Sequence, residues 1–297
     1  MRNKAAAFLS RPGVAPFLFL SPLIALIGCL ILIPVTGAVV NSLFRDVTFL
    51  PQKFVFFGNY ISLFSDSGFT RAAVFTLFFT IVSVFTEMGL GILLALLLNE
   101  KLPGRGFLRV AVLIPWAIPV AVSGRVWELI YNFNYGFANS FLLKTGLMNS
   151  PVNWLGTEAG AFLALVLADA WKTAPFVAII VLAGLQTIPD ELYEQASIDG
   201  AGIFQKFVYI TLPVISPVII VALLFRTIDA LRVFDIIFVL TGGGPGGSTA
   251  SLSMFAYERF LSGDFGGGSA VSVILFLMAM SLSLIYLKAA KLSEALK

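Results

Sequence analysis

The chain has no histidine and only one cysteine, Cys29, in 297 residues. Without histidine there is no Ser-His-Asp or Cys-His catalytic pair and no HExxH zinc motif, and the commonest protein metal ligand is missing. One cysteine excludes an intrachain disulfide and a thiolate metal cluster. Charge is also scarce: Asp, Glu, Lys and Arg supply 12% of the residues, against roughly 25% in a soluble domain. Apolar residues take up the difference. They make up 59% of the chain, and the mean hydropathy of +0.97 points to an integral membrane protein. In a soluble chain, a net charge of +3 and a pI near 9.0 would suggest nucleic acid. Here the basic residues mostly flank apolar runs, as topology requires, and no nucleic-acid partner is expected.

About 20 mainly apolar residues cross a bilayer as one helix. Six stretches qualify: 14–40, 72–98, 107–131, 160–185, 214–240 and 270–287. The predicted fold is therefore all-α and membrane-integral, with six transmembrane helices. Arg2, Lys4 and Arg11 precede the first stretch, as in a secretory signal. Its apolar run is too long for a signal core and no small-x-small site closes it, so a retained signal-anchor span is expected. Lys and Arg outside the spans number ten on the amino-terminal side and five on the other, which places both termini in the cytoplasm. Residues 1–13 and 288–297 are then cytoplasmic tails, and the outside segment 41–71 separates the first span from the five-helix unit 72–287. No internal repeat of fixed period is visible.

The loop 186–212 between spans four and five breaks the charge pattern of its side. Asp190, Glu191, Glu194 and Asp199 face a single basic residue, Lys206. Acids count little for topology, so insertion neither forbids nor requires them. Pro189 followed by Asp190-Glu191 is a helix start, and Gly200 permits the positive φ that ends that helix. Ile203–Ile210 then supplies an apolar face, and Pro213 is expected to open the fifth span. An interfacial linker without a partner is the plain alternative. Such linkers favour Lys and Arg toward anionic lipid, so the acidic composition favours a protein partner.

The spacing Glu194-Gln195-Ala196, three residues, Gly200, nine residues, Ile210-Thr211-Leu212-Pro213 resembles the EAA loop of permease subunits of binding-protein-dependent ABC importers. That pattern is E-A-A, three residues, G, nine residues, I-x-L-P; Gln195 is the one departure. FGNYISLFSD (57–66), PWAIP (115–119), WKTAPF (171–176), GLQTIPDELYEQASIDGA (184–201) and VLTGGGPGGST (239–249) are similar to the carbohydrate-uptake branch. LTGGGP resembles the "first" permease subunit of maltose or glycerol-phosphate importers. The resemblance implies the type I ABC importer permease fold, with 72–287 as the permease core. It makes the loop a coupling helix seated in an ATPase cleft. Glu194 would be the acidic contact, Ala196 the close-packing position and Gly200 the turn, with Gln195, Asp199, Leu212 and Pro213 completing the coupling positions. It also implies a second permease subunit forming a heterodimer, two ATP-binding subunits and an extracytoplasmic solute-binding protein, in a bacterial or archaeal cytoplasmic membrane. ATP and Mg would bind the partner ATPase, and no cofactor would bind this chain.

Charges inside spans are costly unless paired or wetted, so each is a candidate for the substrate path. The candidates are Glu87, Asp169, Trp171, Lys172, Arg226 and Asp229. Asp169 and Lys172, or Arg226 and Asp229, can pair three residues apart along one helix. Arg232 and Asp235 read as self-neutralised near the outer interface, and Arg125 and Glu128 lie at the outer end of span three. Glu87 has no basic neighbour in its span; it needs a partner from another helix, a proton or water. Trp171 offers a face for stacking on a sugar ring, or packs against a neighbour. Pro175 is expected to kink span four. The run GGGPGGST (242–249) lacks the lysine of a phosphate-binding loop and reads as a flexible outside connector. SGDFGGG (262–268) has a Gly-Asp pair but no second motif aspartate, so an intramembrane protease is not supported. The rival function is an ion-coupled secondary transporter that uses Glu87, Asp169 and Asp229 as its buried carboxylates. It leaves the acidic loop without a task.

Overall fold

Prolines and caps decide where the helices begin, bend and stop in the computed structural model, which describes residues 14–101 and 103–295. The tail 1–13, with Arg2, Lys4 and Arg11, lies outside the described residues, as does Lys297. The first span comprises α1 (Val14–Ile27), a π-helical turn (Gly28–Leu32) and α2 (Ile33–Ser42). A two-stranded hairpin follows, β1 (Phe44–Arg45) and β2 (Lys53–Phe54), and then α3 (Gly58–Phe64). The second span is α4 (Ser67–Asn99), which starts where the Asp66 carboxylate caps Gly68 N at 2.7 Å. α5 (Arg105–Ala117), α6 (Val120–Ile130) and α7 (Phe137–Lys144) precede the fourth span, α8 (Glu158–Leu185). Next come α9 (Asp190–Ile198), α10 (Ile203–Lys206), a second π turn (Phe207–Thr211) and α11 (Leu212–Leu231). The order closes with α12 (Asp235–Leu240), α13 (Leu252–Leu261) and α14 (Phe265–Ala295).

Among the described residues, five helical stretches are long and apolar enough to cross a membrane, and a bent pair makes a sixth if it is one span. That pair corrects the continuous third span expected over 107–131. α5 and α6 meet at 92° across Ile118 and Pro119. Pro115 and Pro119 each remove a backbone donor, and Pro119 forces Ile118 into extended backbone, with φ −69° and ψ 135°. The fifth span also differs from 214–240. Residues 203–231 form one continuous stretch, the chain breaks after Leu231, and α12 starts anew at Asp235.

Pro213 consequently does not open that span. The π turn ahead of it carries the bond from Leu212 N to Phe207 O, and the widened turn absorbs the proline ring and its missing donor. The same register recurs in the first span, where Ile33 N bonds Gly28 O just ahead of Pro34. α8, by contrast, runs through Pro175 without interruption.

α8 is the central element. Of its most apolar window 72% is buried inside the chain, compared with 0% for the first span. It packs most extensively on α4. Gly91 allows their approach, since a Cβ there would lie 2.5 Å from the Val177 side chain. Phe79, Leu165, Val177 and Val181 are fully buried around this contact. Outside this core, the first span touches the rest through α2, which packs on α14.

Candidate functional site

Burying a charge costs several kcal/mol unless opposite charge and hydrogen bonds replace water, so the buried charges of α4, α8 and α11 ought to converge. They do. Glu87 of α4 is completely buried, and Arg226 of α11 grips it bidentately, with Nε to Oε2 at 2.6 Å and Nη2 to Oε1 at 3.0 Å. The partner that Glu87 lacks in its own span is thus 139 residues away in sequence. Asp169 of α8 lies 3.6 Å from the same guanidinium, and Asp229 lies 3.4 Å from its Nη1. Ser83 Oγ is within hydrogen-bond reach of Glu87 (2.7 Å) and Asp169 (2.9 Å); its single proton serves one at a time. The Arg226–Asp229 pair is therefore as expected, but Arg226 also gathers carboxylates from two other helices.

Two expected intrahelical pairs do not form. Lys172 turns away from Asp169. Its Nζ donates to the carbonyls of Trp116, at 3.2 Å, and Ile118, at the break between α5 and α6. Those carbonyls have lost helical partners because the helix stops there, so Lys172 acts as a cap supplied by another helix. Arg232 pairs with Asp229 at 2.7 Å rather than with Asp235, because the chain leaves helical geometry at Arg232. Arg125 and Glu128 do pair, at 2.5 Å, on an exposed face.

The cluster lines a cavity of about 600 Å³ bounded by α5, α6, α8, α11 and α12. Its wall includes Trp116, Asp169, Lys172, Thr173, Arg226, Asp229, Arg232 and Phe234. Asp235 adds a carboxylate at the rim. Trp116 stacks on Phe176 with centroids 5.7 Å apart and rings inclined by 17°. Trp171 is not part of this wall; it meets Trp127 edge-on at 5.7 Å. The aromatic surface expected from Trp171 is thus provided by Trp116, inside the PWAIP segment. Ser83 and Trp116 are the residues that sequence reasoning missed. Ser83 stands one helical turn before Glu87, a spacing that was visible; Trp116 depends on the break beside it.

At one end of the bundle, the loop 186–212 forms a compact helical hairpin. α9 ends in a Schellman cap: Ala201 N bonds Ala196 O at 2.8 Å, Gly200 N bonds Ser197 O at 3.1 Å, and Gly200 has φ +79°. Ala196 is therefore a capping position as well as a small one. Gly202 N bonds the Gln205 side chain (2.8 Å), Lys206 bonds Ser197 (2.6 Å), and Tyr193 and Thr211 share a bond of 2.9 Å that locks α9 against the π turn. Glu194, Gln195, Asp199 and Gly200 are exposed, together with Ile198, Ile203 and Phe204, at 86%, 90% and 77%. Leu212 and Pro213 lie at the base, exposed on α11. Asp190 bonds Lys101, and its carboxylate holds that ammonium above the ordinary lysine range. The tie is therefore intact at neutral pH, and on the alkaline side it is lost as pH rises through the raised lysine value.

The glycine-rich run is not a loose connector. Thr249 is buried, and its Oγ1 donates to Gly244 O at 2.6 Å and meets Thr241 Oγ1 at 2.9 Å. Asp264 of the discounted Gly-Asp pair binds Arg259 at 3.0 Å. Among the described residues, no group of three or more acidic or cysteine side chains is placed to hold a metal.

The family described as binding-protein-dependent transport system inner membrane component matches residues 87–293. The trehalose/maltose transport system permease protein MalF of Thermococcus litoralis is 52% identical over 287 residues, which is 96% of this chain and 97% of that protein. The sulfoquinovosyl glycerol transport system permease protein SmoG of Agrobacterium fabrum is 39% identical over 91% of this chain and 88% of its own. A bacterial ABC transporter involved in import of the acidic polysaccharide alginate shares the fold, with TM-score 0.82 over 97% of this chain and 98% of that one, at 24% identity. The chain belongs to the binding-protein-dependent inner membrane component family: it is the multi-pass permease subunit of a carbohydrate ABC importer, and ATP is bound and hydrolysed on a separate ATPase subunit.

Proposed function

We propose that this permease carries a neutral oligosaccharide of the trehalose or maltose class through the 600 Å³ cavity. The observation that carries the substrate class is the engagement of every cation in that wall. Arg226 is held by Glu87, Arg232 by Asp229, and Lys172 by two carbonyls. No lining cation is left to recruit a phosphate, whereas Trp116 offers a ring face and the carboxylates accept hydroxyl protons. The names borne by the relatives from Thermococcus litoralis and Agrobacterium fabrum support a sugar or sugar-like cargo. Asp169, Lys172, Arg226 and Asp229 line the path, Glu87 holds Arg226 in place, and Trp171 packs on Trp127 away from the wall.

The loop 186–212 is the coupling element in this reading. α9 presents Glu194, Gln195 and Asp199, and Gly200 turns the chain so that Ile198, Ile203 and Phe204 face outward beside them. Such an acidic rim around an apolar patch suits a cleft on an ATPase. Leu212 and Pro213 at the base transmit its movement into α11. Both termini then lie in the cytoplasm, and a second permease subunit completes the path as a heterodimer. Two ATP-binding subunits dock below, and an extracytoplasmic binding protein delivers sugar. Closure of the ATPases draws the coupling loops together and turns the path outward as a rigid-body switch.

Glu194→Lys and Gly200→Val test the assignment. Each variant should reach the membrane yet lose ATP-driven trehalose or maltose uptake by roughly tenfold or more, as expected when a buried interface charge or turn is broken. Unchanged uptake in both variants would sink the loop's role.

A further inference from the structure

The hairpin Phe44–Phe54 is bonded to the end of the first span and to the start of the last. Val55 N bonds Leu43 O at 2.9 Å, and Asn59 Nδ2 bonds Ser42 O and Phe44 O at 2.8 and 2.7 Å, tying the hairpin to the end of α2 and to α3. Phe265 N and Gly266 N, at the start of α14, bond Asp46 O at 2.9 and 3.1 Å, and Val47 bridges Asp264. The hairpin therefore sits beside the ends of two apolar stretches, Phe19–Ser42 and the one that opens at Phe265, the depth at which a spanning helix meets the boundary between hydrocarbon and water.

At that depth its composition is two-faced. Cross-strand partners Phe44 and Phe54 meet edge-on at 5.2 Å, while Arg45 faces Lys53 in the neighbouring register. Like charges directly opposite each other repel, and neither cation forms an ion pair among the described residues. At the tip, Phe49 is fully exposed in the left-handed region, at φ +69°, a conformation that phenylalanine rarely adopts. Its side chain is held outward into the open, next to the exposed Leu50.

We propose that this hairpin is an interfacial anchor, with Phe49 and Phe54 inserted at the acyl boundary of the outer leaflet and Arg45 and Lys53 on anionic phospholipid headgroups. The occupant follows from depth and charge. An aromatic ring flanked by cations at the ends of two spans matches what that boundary favours. The anchor would fix the outer end of the first span, which packs on the rest of the described chain chiefly through α2.

The test uses the assembled transporter in vesicles of phosphatidylethanolamine and phosphatidylglycerol, carrying Phe49→Cys in a Cys29→Ala background and labelled with the fluorophore NBD. Phe54→Cys provides a second labelling site should the first variant assemble poorly. Lipids with a nitroxide near the headgroup should quench the label roughly twofold or more better than lipids with a deep nitroxide, as for a shallow interfacial group. Quenching by aqueous iodide alone would overturn the proposal. So would loss of the lipid quenching on adding the sugar-loaded binding protein, which would make the hairpin a protein-docking surface. Arg45→Glu with Lys53→Glu should weaken the shallow quenching in anionic vesicles and leave it unchanged in phosphatidylcholine. Equal quenching in both lipids would remove the headgroup contact. None of these readouts depends on transport, so the sugar assignment stands or falls separately.

Discussion

Glu87 and Arg226 set the energetics of the site. Both lie deep in the bundle, at 0% and 5% exposure; Glu87 is ion-paired with Arg226, whereas Arg226 also keeps Asp169 at 3.6 Å and Asp229 at 3.4 Å. Removing Arg226 leaves Glu87 buried and uncompensated, at a cost of about 3–5 kcal/mol, removing Glu87 costs less because two carboxylates remain beside Arg226, and removing both together is milder than the sum. Glu87→Gln and Arg226→Met should each lower the thermal unfolding midpoint of the purified transporter. The double variant should recover most of the loss, and a double variant as unstable as the sum of the singles would refute the pairing. Which residues were candidates was legible from their charge inside apolar runs. Who pairs with whom was not, because helical spacing offers Asp169–Lys172 as readily as the observed contacts. Two carbonyls freed by a break in another helix outcompete Asp169 for Lys172.

At the scale of elements, the contact of α4 with α8 carries the core, and Gly91 permits it. A Cβ at Gly91 would come within 2.5 Å of Val177, and overpacking of this kind costs roughly 1–3 kcal/mol. Gly91→Val should therefore lower the unfolding midpoint measurably in detergent. The same change at Gly89, which has nothing within 4 Å, should leave it near wild type. Equal effects at the two positions would contradict this packing. Apolar length located the spans well, and the match is good wherever no proline interrupts. The break after Leu231 stands apart, and the other departures occur at or beside prolines. Pro119 breaks the third span, while Pro34 and Pro213 are absorbed by π turns and Pro175 by an unbroken helix. A proline removes one donor wherever it stands, but whether the helix bends, widens or carries on depends on what packs around it.

For the whole molecule, the first span and the core obey different rules. Leu30 is 69% exposed and faces outward, whereas Leu165 is completely buried. Leu30→Ala should leave stability within about 0.5 kcal/mol of wild type, and Leu165→Ala should cost about 2–5 kcal/mol, both read from thermal unfolding in nanodiscs. A large loss from Leu30→Ala would mean that a protein surface, not lipid, covers the first span. What the sequence by itself determined is the membrane class, the number of apolar stretches, the exclusion of histidine and thiol chemistry, and the acidic loop with its Glu194–Gly200–Pro213 spacing. Each depends on residue identity along a local stretch, and a helix reads its sequence locally. The fold alone sets the convergence of α4, α8 and α11 on Arg226, the cavity wall of Trp116 and Phe234, and the seating of the hairpin on two span ends. Those features join residues as far apart as Asp46 and Gly266, and a linear pattern does not encode which distant helix comes to lie alongside.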